Sequence, residues 1–305
     1  MSMKADQVLT HPALATCVRS QAQALIGLHQ AGPRVASPFA TQQRWLVSQA
    51  ALAQYFRNEA AAPGSGLLAE WVGKFAVRHD LASRNTAAAF IDEMLKYGIL
   101  RHTPGSERGR SRPFEPSPPT LAALLQWLAI HLGTLDMLDG GQRSAALVAQ
   151  PALLSAVQPL IADGLLASAE VRRPEKTFSL FTWINDGGVV MDRLIAGCGE
   201  PVDVEAGAMS GARPARMVTD IMSVSGLAQH LTLSRTHLGR KLAAAEAMGS
   251  LGWSGTRGRS RLWVSDGFRH EYHAAQAAKL AIIDAAFEAC FEGVDASRDR
   301  AAISA

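Results

Sequence analysis

The chain has 305 residues, of which 48% are hydrophobic, 19% charged and 6% aromatic, with a formal net charge of +3. A mean hydropathy of +0.05 with so few charges excludes a disordered chain or a long coiled coil, and the mild charge excludes a histone-like polycation. Alanine, the best helix former, accounts for 53 residues, so the composition leans towards helix. Cys17, Cys198 and Cys290 are odd in number and far apart, which speaks against a disulfide framework or a cysteine zinc site and fits a reducing cytoplasm. The first residues carry no apolar run and do not read as a signal peptide.

Two units are expected, over 11–139 and 150–291, with 1–10 and 292–305 as flexible tails. Residues 11–30 have a helical pattern. Residues 67–79 carry Leu68, Trp71, Val72, Phe75 and Ala76 at helical spacing. A turn through Asp80, Leu81 and Ala82 leads to Ser83, an N-cap residue for a helix over 84–97 with Ala87, Phe90, Ile91, Met94 and Leu95 on its inner face. Gly98 ends that helix. Residues 99–102 and 111–115 read as two strands around a basic turn, and Pro113 and Pro116 confine the second to a sheet edge. A long apolar helix over 119–138 follows. Its stretch 121–138 is the best membrane candidate, but Gln126, His131 and Asp136 interrupt it, so a buried helix of a soluble protein is expected.

The same order then returns. Residues 151–169 are helical in pattern, and 224–230, a cap at Ser234, 235–248, Gly249, strands 251–253 and 260–264 and a helix over 267–291 repeat the first half. Arg108-Gly109-Arg110-Ser111-Arg112 recurs as Arg257-Gly258-Arg259-Ser260-Arg261. His79 matches His230, Ser83-Arg84 matches Ser234-Arg235, and Gly98 and Leu100 match Gly249 and Leu251. Further upstream Trp45 falls near Trp183, and His11-Pro12-Ala13-Leu14 resembles Gln150-Pro151-Ala152-Leu153. The second copy must hold about thirteen extra residues, for which the Gly- and Pro-rich stretch 197–216 is the expected loop.

Helix, tight turn, helix and two-stranded ribbon is the order of a winged helix-turn-helix. With flanking helices and arginines at each ribbon tip, residues 41–138 and 175–291 resemble the MarR-type family of bacterial transcriptional regulators, although neither half has the Asp-x-Arg usual before the family's wing tip. Members of that family are usually homodimers of chains about half this length. The resemblance implies a mainly α protein with small β-wings: tandem duplicated winged helix-turn-helix domains with flanking dimerisation-type helices, fused as a pseudo-dimer that acts without homodimerisation.

In such a fold the start of the second helix enters the major groove. The candidate reading residues are Arg84, Asn85 and Thr86 after Ser83, and Arg235, Thr236 and His237 after Ser234, backed by Arg240 and Lys241. Arginine pairs bidentately with guanine and asparagine with adenine. The plainer reading is an ordinary solvated helix cap. Arg108, Arg110 and Arg112, like Arg257, Arg259 and Arg261, alternate with small residues, which on an extended hairpin would turn three guanidiniums the same way, towards a minor groove and its phosphates. A solvated basic turn or an RNA-binding patch is the alternative. Since Asn85 aligns with Thr236 and Thr86 with His237, an imperfectly palindromic double-stranded DNA site is expected, with half-sites about one helical turn apart.

No nucleotide-binding, nucleophile-elbow or carboxylate-pair pattern supports catalysis, and neither a cofactor nor a metal is expected. His270-Glu271-Tyr272-His273 lacks the spacing of a zinc motif and reads as a surface helix turn. Cys198 between two glycines is a candidate exposed redox thiol, with buried cysteine as the alternative. Trp45 and Trp183 are candidate walls of a small-molecule effector pocket, or simply core. Two other roles fit a tandem winged helix: a plasmid replication initiator on direct repeats, and a protein-interaction module.

Overall fold

The computed structural model describes residues 2–32, 41–106, 112–174, 176–202, 216–229 and 231–303, and for 200–202 and 292–303 the backbone alone. The segment expected as an N-terminal tail forms a short helix, α1 (Ala5–Leu9), which packs on the C-terminal helix and buries Val8 completely. α2 (Leu14–Ala31) and α3 (Gln42–Ala61) follow, and Thr41 caps α3 by accepting the Arg44 N–H at 3.2 Å. α4 (Ala69–Arg78) and α5 (Arg84–Lys96) come next, and Gly98 at φ 70° takes the left-handed turn that ends the second of them. β1 (Leu100–His102) pairs antiparallel with β2 (Phe114–Pro116), Arg101 standing opposite Glu115, and Leu67 adds one bridge to Phe114.

α6 (Pro118–Asp139) opens on two prolines, where a missing N–H costs nothing, and stops at the left-handed Gly140. Among the described residues it is the one helix long and apolar enough to cross a membrane by length and composition. Its buried side chains, Leu124, Leu128, Leu132 and Leu135, nevertheless serve the protein core, where α6 meets α2, α7 and the C-terminal helix.

The second half continues with α7 (Arg143–Ala149), α8 (Leu153–Ala167), α9 (Ala169–Arg172), α10 (Lys176–Thr182) and α11 (Gly187–Ala196). The stretch 197–216, read from composition as a loop, holds the strand β3 (Cys198–Val202) at its start, and β4 (Arg216–Thr219) begins at its last residue. Then come α12 (Val224–Leu227), α13 (Arg235–Ala247), β5 (Leu251–Trp253), β6 (Leu262–Ser265) and α14 (Asp266–Ile303). The strands form one antiparallel sheet in the order β3-β4-β6-β5. The Arg216 guanidinium lies 3.9 Å from the centre of the Trp263 ring, a cation–π contact that ties β4 to β6. α12 is a single turn where seven helical residues were expected: Gly226 interrupts a segment that has no counterpart to Trp71 and Phe75.

The fold is mainly helical with small antiparallel sheets. One continuous core draws on both halves: α3 packs on α8 and α11 on α2, while α2 packs on α6 and α8 on α14. Val157 and Leu165 of α8, Val190 and Leu194 of α11 and Leu280 and Ile283 of α14 are wholly buried there. Each such side chain contributes about 1.5–3 kcal/mol relative to exposure, so the shared core, and not the junction peptide, holds the halves together. A smaller core of Val72, Ala76, Ala87, Ile91, Met94 and Phe114 belongs to α4, α5 and β2.

Candidate nucleic-acid interface

Two helix starts have the same local construction. Ser83 Oγ accepts the Thr86 N–H at 3.1 Å, and Ser234 Oγ accepts the His237 N–H at 3.2 Å. Each serine therefore spends its hydroxyl on a backbone donor that the helix cannot satisfy, and the following residues are left to face outward. Arg84, Asn85 and Thr86 are exposed, as are Arg235, Thr236 and Arg240, while His237 and Lys241 are half-buried. Thr86 Oγ1 also lies 2.8 Å from Ser83 Oγ, so one of its hydrogen-bonding directions is taken. Gly73 of α4 lets the stem of Arg84 lie close, since a Cβ there would stand 3.2 Å from Arg84 Cγ. In the second half Arg235 Nη1 donates to Ser225 Oγ of α12 at 3.4 Å.

The ribbon tips differ from the expectation. Arg108, Arg110 and Ser111 lie outside the described residues, as does His230; Arg112 is described and exposed. In the second half Arg257, Arg259 and Arg261 are all exposed, but residues 257–261 are not extended. The Arg259 N–H donates to the Thr256 carbonyl at 3.0 Å, Gly258 has φ 75°, and Ser260 Oγ accepts the Gly255 N–H at 2.9 Å. These bonds make a compact turn, and the strand begins only at Leu262. Two-residue alternation aligns side chains only in extended chain, so the spacing alone does not turn the three guanidiniums the same way. Arg257 turns back instead, its Nη1 standing 3.6 Å from Glu246 Oε2 at the end of α13. Arg259 and Arg261 form no ion pair among the described residues.

Beside the second of these helix starts, a cavity of about 460 Å³ opens between the halves. Its apolar wall includes Leu25, Leu28, Trp45, Trp127, Phe178 and Met191. Trp45 thus stands where an effector-pocket wall was expected; Trp183 does not, being 54% exposed and not part of the cavity lining. One edge is wired to α13. Asp186, a left-handed residue at φ 55°, faces His29 Nε2 of α2 at 3.4 Å. Its Oδ2 accepts the Thr232 N–H at 2.6 Å and the Thr232 hydroxyl at 2.5 Å, two residues before the Ser234 cap. Burial alone would raise the Asp186 pKa, but the bonds from His29 and Thr232 outweigh it and hold the carboxyl below the usual range.

No family model, curated protein or solved structure matches the chain. The arrangement of its own residues is what bears on function.

Three sequence readings near the cavity need correction or completion. The turn His270–His273 is helical and only partly at the surface: His270 is exposed, but Tyr272 is buried and donates its hydroxyl to Asp192, and Glu271 Oε2 accepts the Phe178 N–H at 3.0 Å. Desolvation depresses the His273 pKa to about 4, and no cluster of metal-binding side chains occurs among the described residues. Cys198 is not an exposed thiol. It begins β3, is buried, donates to the Leu194 carbonyl at 3.2 Å, and burial pushes its pKa up to about 11, which leaves too little thiolate for redox sensing at neutral pH. Cys17 and Cys290 are buried as well. Two charged residues of the cavity, Asp192 and Lys279, carry no motif or spacing that marks them in the sequence. Desolvation raises the Asp192 pKa to about 6 against the pull of the Tyr272 bond, and lowers that of Lys279 to about 8 against the attraction of Asp192.

Proposed function

We propose that the chain is a sequence-specific double-stranded DNA-binding transcriptional regulator, built as two MarR-like winged helix-turn-helix copies in one polypeptide and responsive to a small-molecule effector. The observation that carries this reading is the double occurrence of a serine-capped helix with an exposed cationic first turn, preceded by a helix and followed by an antiparallel hairpin. The helix packing supports the pseudo-dimer. If α8 is the counterpart of α2 and α11 of α3, then α3 on α8 and α11 on α2 are the same contact made twice in opposite directions. That reciprocity is the mark of an isologous two-fold interface. The α2–α6 contact within the first half recurs as α8–α14 within the second.

In this reading the first turns of α5 and α13 read base edges, and Arg112, Arg259 and Arg261 hold phosphates or the minor groove. Selection of duplexes from a random pool by the purified chain tests it. Expected is an imperfect palindrome occupied by one chain, with half-sites about one helical turn apart. A perfect palindrome filled by two chains would overturn the pseudo-dimer, and no duplex binding at low salt would overturn DNA recognition itself.

Two substitutions separate reading from anchoring. Arg259→Ala should weaken binding to every sequence alike and reduce the slope of log affinity against log salt by about 1. Asn85→Ala should change base preference at one half-site only, by roughly 1–3 kcal/mol at a single position. Equal loss on all sequences for Asn85→Ala, measured on the selected site and its point variants, would remove its reading role.

A further inference from the structure

The charged groups around the cavity fall into two kinds. His29 Nε2 and Asp186 Oδ1 face each other at 3.4 Å, although the buried His29 Nδ1 has no hydrogen-bond partner among the described residues, and Glu170 is engaged by the Ser168 hydroxyl at 2.8 Å. Asp192 and Lys279 do not pair: both line the cavity, yet no ion pair joins them, and Lys279 makes no hydrogen bond among the described residues. Asp192 spends one carboxylate oxygen on the Tyr272 hydroxyl and has no described partner for the other. Asp192 is buried and Lys279 half-buried, and charges withdrawn from water in this way are ordinarily paired because an isolated one is costly to desolvate. Here an ammonium and a carboxylate stand apart in the wall of one largely apolar space.

A ligand that completes both must carry unlike charges close together on an apolar body. We propose that the cavity binds an apolar α-amino acid, its carboxylate on Lys279, its ammonium on the free oxygen of Asp192, and its side chain among Leu25, Trp45, Trp127 and Phe178. A simple organic acid would meet Lys279 but crowd Asp192; a simple amine would do the reverse. The zwitterion satisfies both and leaves the pocket neutral. Its volume of about 460 Å³ accommodates the largest side chains of this class. The site also lies against the His29–Asp186–Thr232 connection to α13, so the inference deepens the effector part of the proposed function by giving its ligand a chemical class.

Calorimetric titration of the full chain, without DNA, tests this with L-phenylalanine, L-tryptophan and L-leucine against 3-phenylpropionate and phenethylamine. At least one amino acid should bind roughly ten- to a hundredfold more tightly than either half-molecule, the worth of a charge-assisted hydrogen bond in a buried site. Lys279→Met should abolish the preference of phenylalanine over phenethylamine. Asp192→Asn, which keeps an acceptor for Tyr272, should abolish its preference over 3-phenylpropionate. Thermal melts of both variants establish that they are folded. No binding of any of the three amino acids at millimolar concentration, or half-molecules that bind as well as the zwitterion, would overturn the proposal and leave the cavity to water. Because the titration contains no DNA, amino-acid binding in a chain that ignores duplexes would refute the regulator and keep this site, and the converse result would do the opposite.

Discussion

Arg143→Met is expected to cost about 3–5 kcal/mol of folding stability, the usual consequence of leaving a buried carboxylate without its cation. Arg143 lies between the two expected units, 11–139 and 150–291, and holds three acids at once. Its Nε donates to Asp284 Oδ1 at 2.8 Å, Nη1 to Asp136 Oδ1 at 3.2 Å and Nη2 to Asp139 Oδ2 at 2.6 Å. Asp284 is 1% exposed and also accepts the Met3 N–H at 2.8 Å, so the cluster joins α6, α7, α14 and the N-terminal segment. Gly141 gives the guanidinium room, since a Cβ there would run into Arg143 Nη1. The hydrogen bond from Arg143 is the main reason that the Asp139 carboxyl is held below its usual range, and the stability it contributes is lost as pH falls through that depressed value. Methionine removes the guanidinium that Asp136, Asp139 and Asp284 share. Urea unfolding measures the loss. Adding Asp284→Asn to the variant should recover part of it, because the buried charge then disappears with its partner. A loss under about 1 kcal/mol would mean that the cluster is a screened surface network and not a clamp.

The junction illustrates what the sequence could and could not disclose. Helix ends were legible because they depend on near neighbours: Ser83 and Ser234 cap as their positions imply, and Gly98 and Gly249 take left-handed conformations at φ 70° and 72°. Leu251–Trp253 forms the strand that its pattern indicates. The sheet of the second half was hidden, because β4 is stabilised by pairing with the distant β6 and β3 carries Gly199 and Pro201, residues typical of a loop. The turn at Arg257–Arg261 was misread for a related reason. Its shape is set by hydrogen bonds to the Thr256 carbonyl and to Ser260 Oγ, which a count of alternating residues does not register. Of the candidate site, the exposed reading residues were visible and the cavity was not. Lys279 follows Ala277 and Ala278 on an alanine-rich helix and looks like any polar residue of an amphipathic face, until α2, α3, α6 and α11 close around it.

That enclosure has a thermodynamic consequence. Relative to Lys279→Met, the wild-type chain should gain stability as pH rises from about 8 towards 10.5. The folded protein releases the Lys279 proton near 8 because burial penalises the ammonium, with Asp192 only partly compensating. The unfolded chain keeps its proton to about 10.4. Between these values the unfolded state binds more protons, so raising the pH favours folding. A shift from 10.5 to about 8 corresponds to roughly 3 kcal/mol across the window. Tyr272 and Cys198, whose pKa values are raised by burial, act in the opposite sense at similar pH. The difference between wild type and variant, from urea unfolding at a series of pH values, isolates the lysine. At pH 7 the variant should be the more stable protein, with about 3 kcal/mol as the ceiling, since methionine also deprives Asp192 of an attracting charge. Curves that stay parallel from pH 7 to 10.5 would show that the ammonium is solvated. A gain in stability from deleting a charge is the pattern of a binding group kept at a cost to the fold, so the same substitution that should destroy amino-acid selectivity should also strengthen the protein.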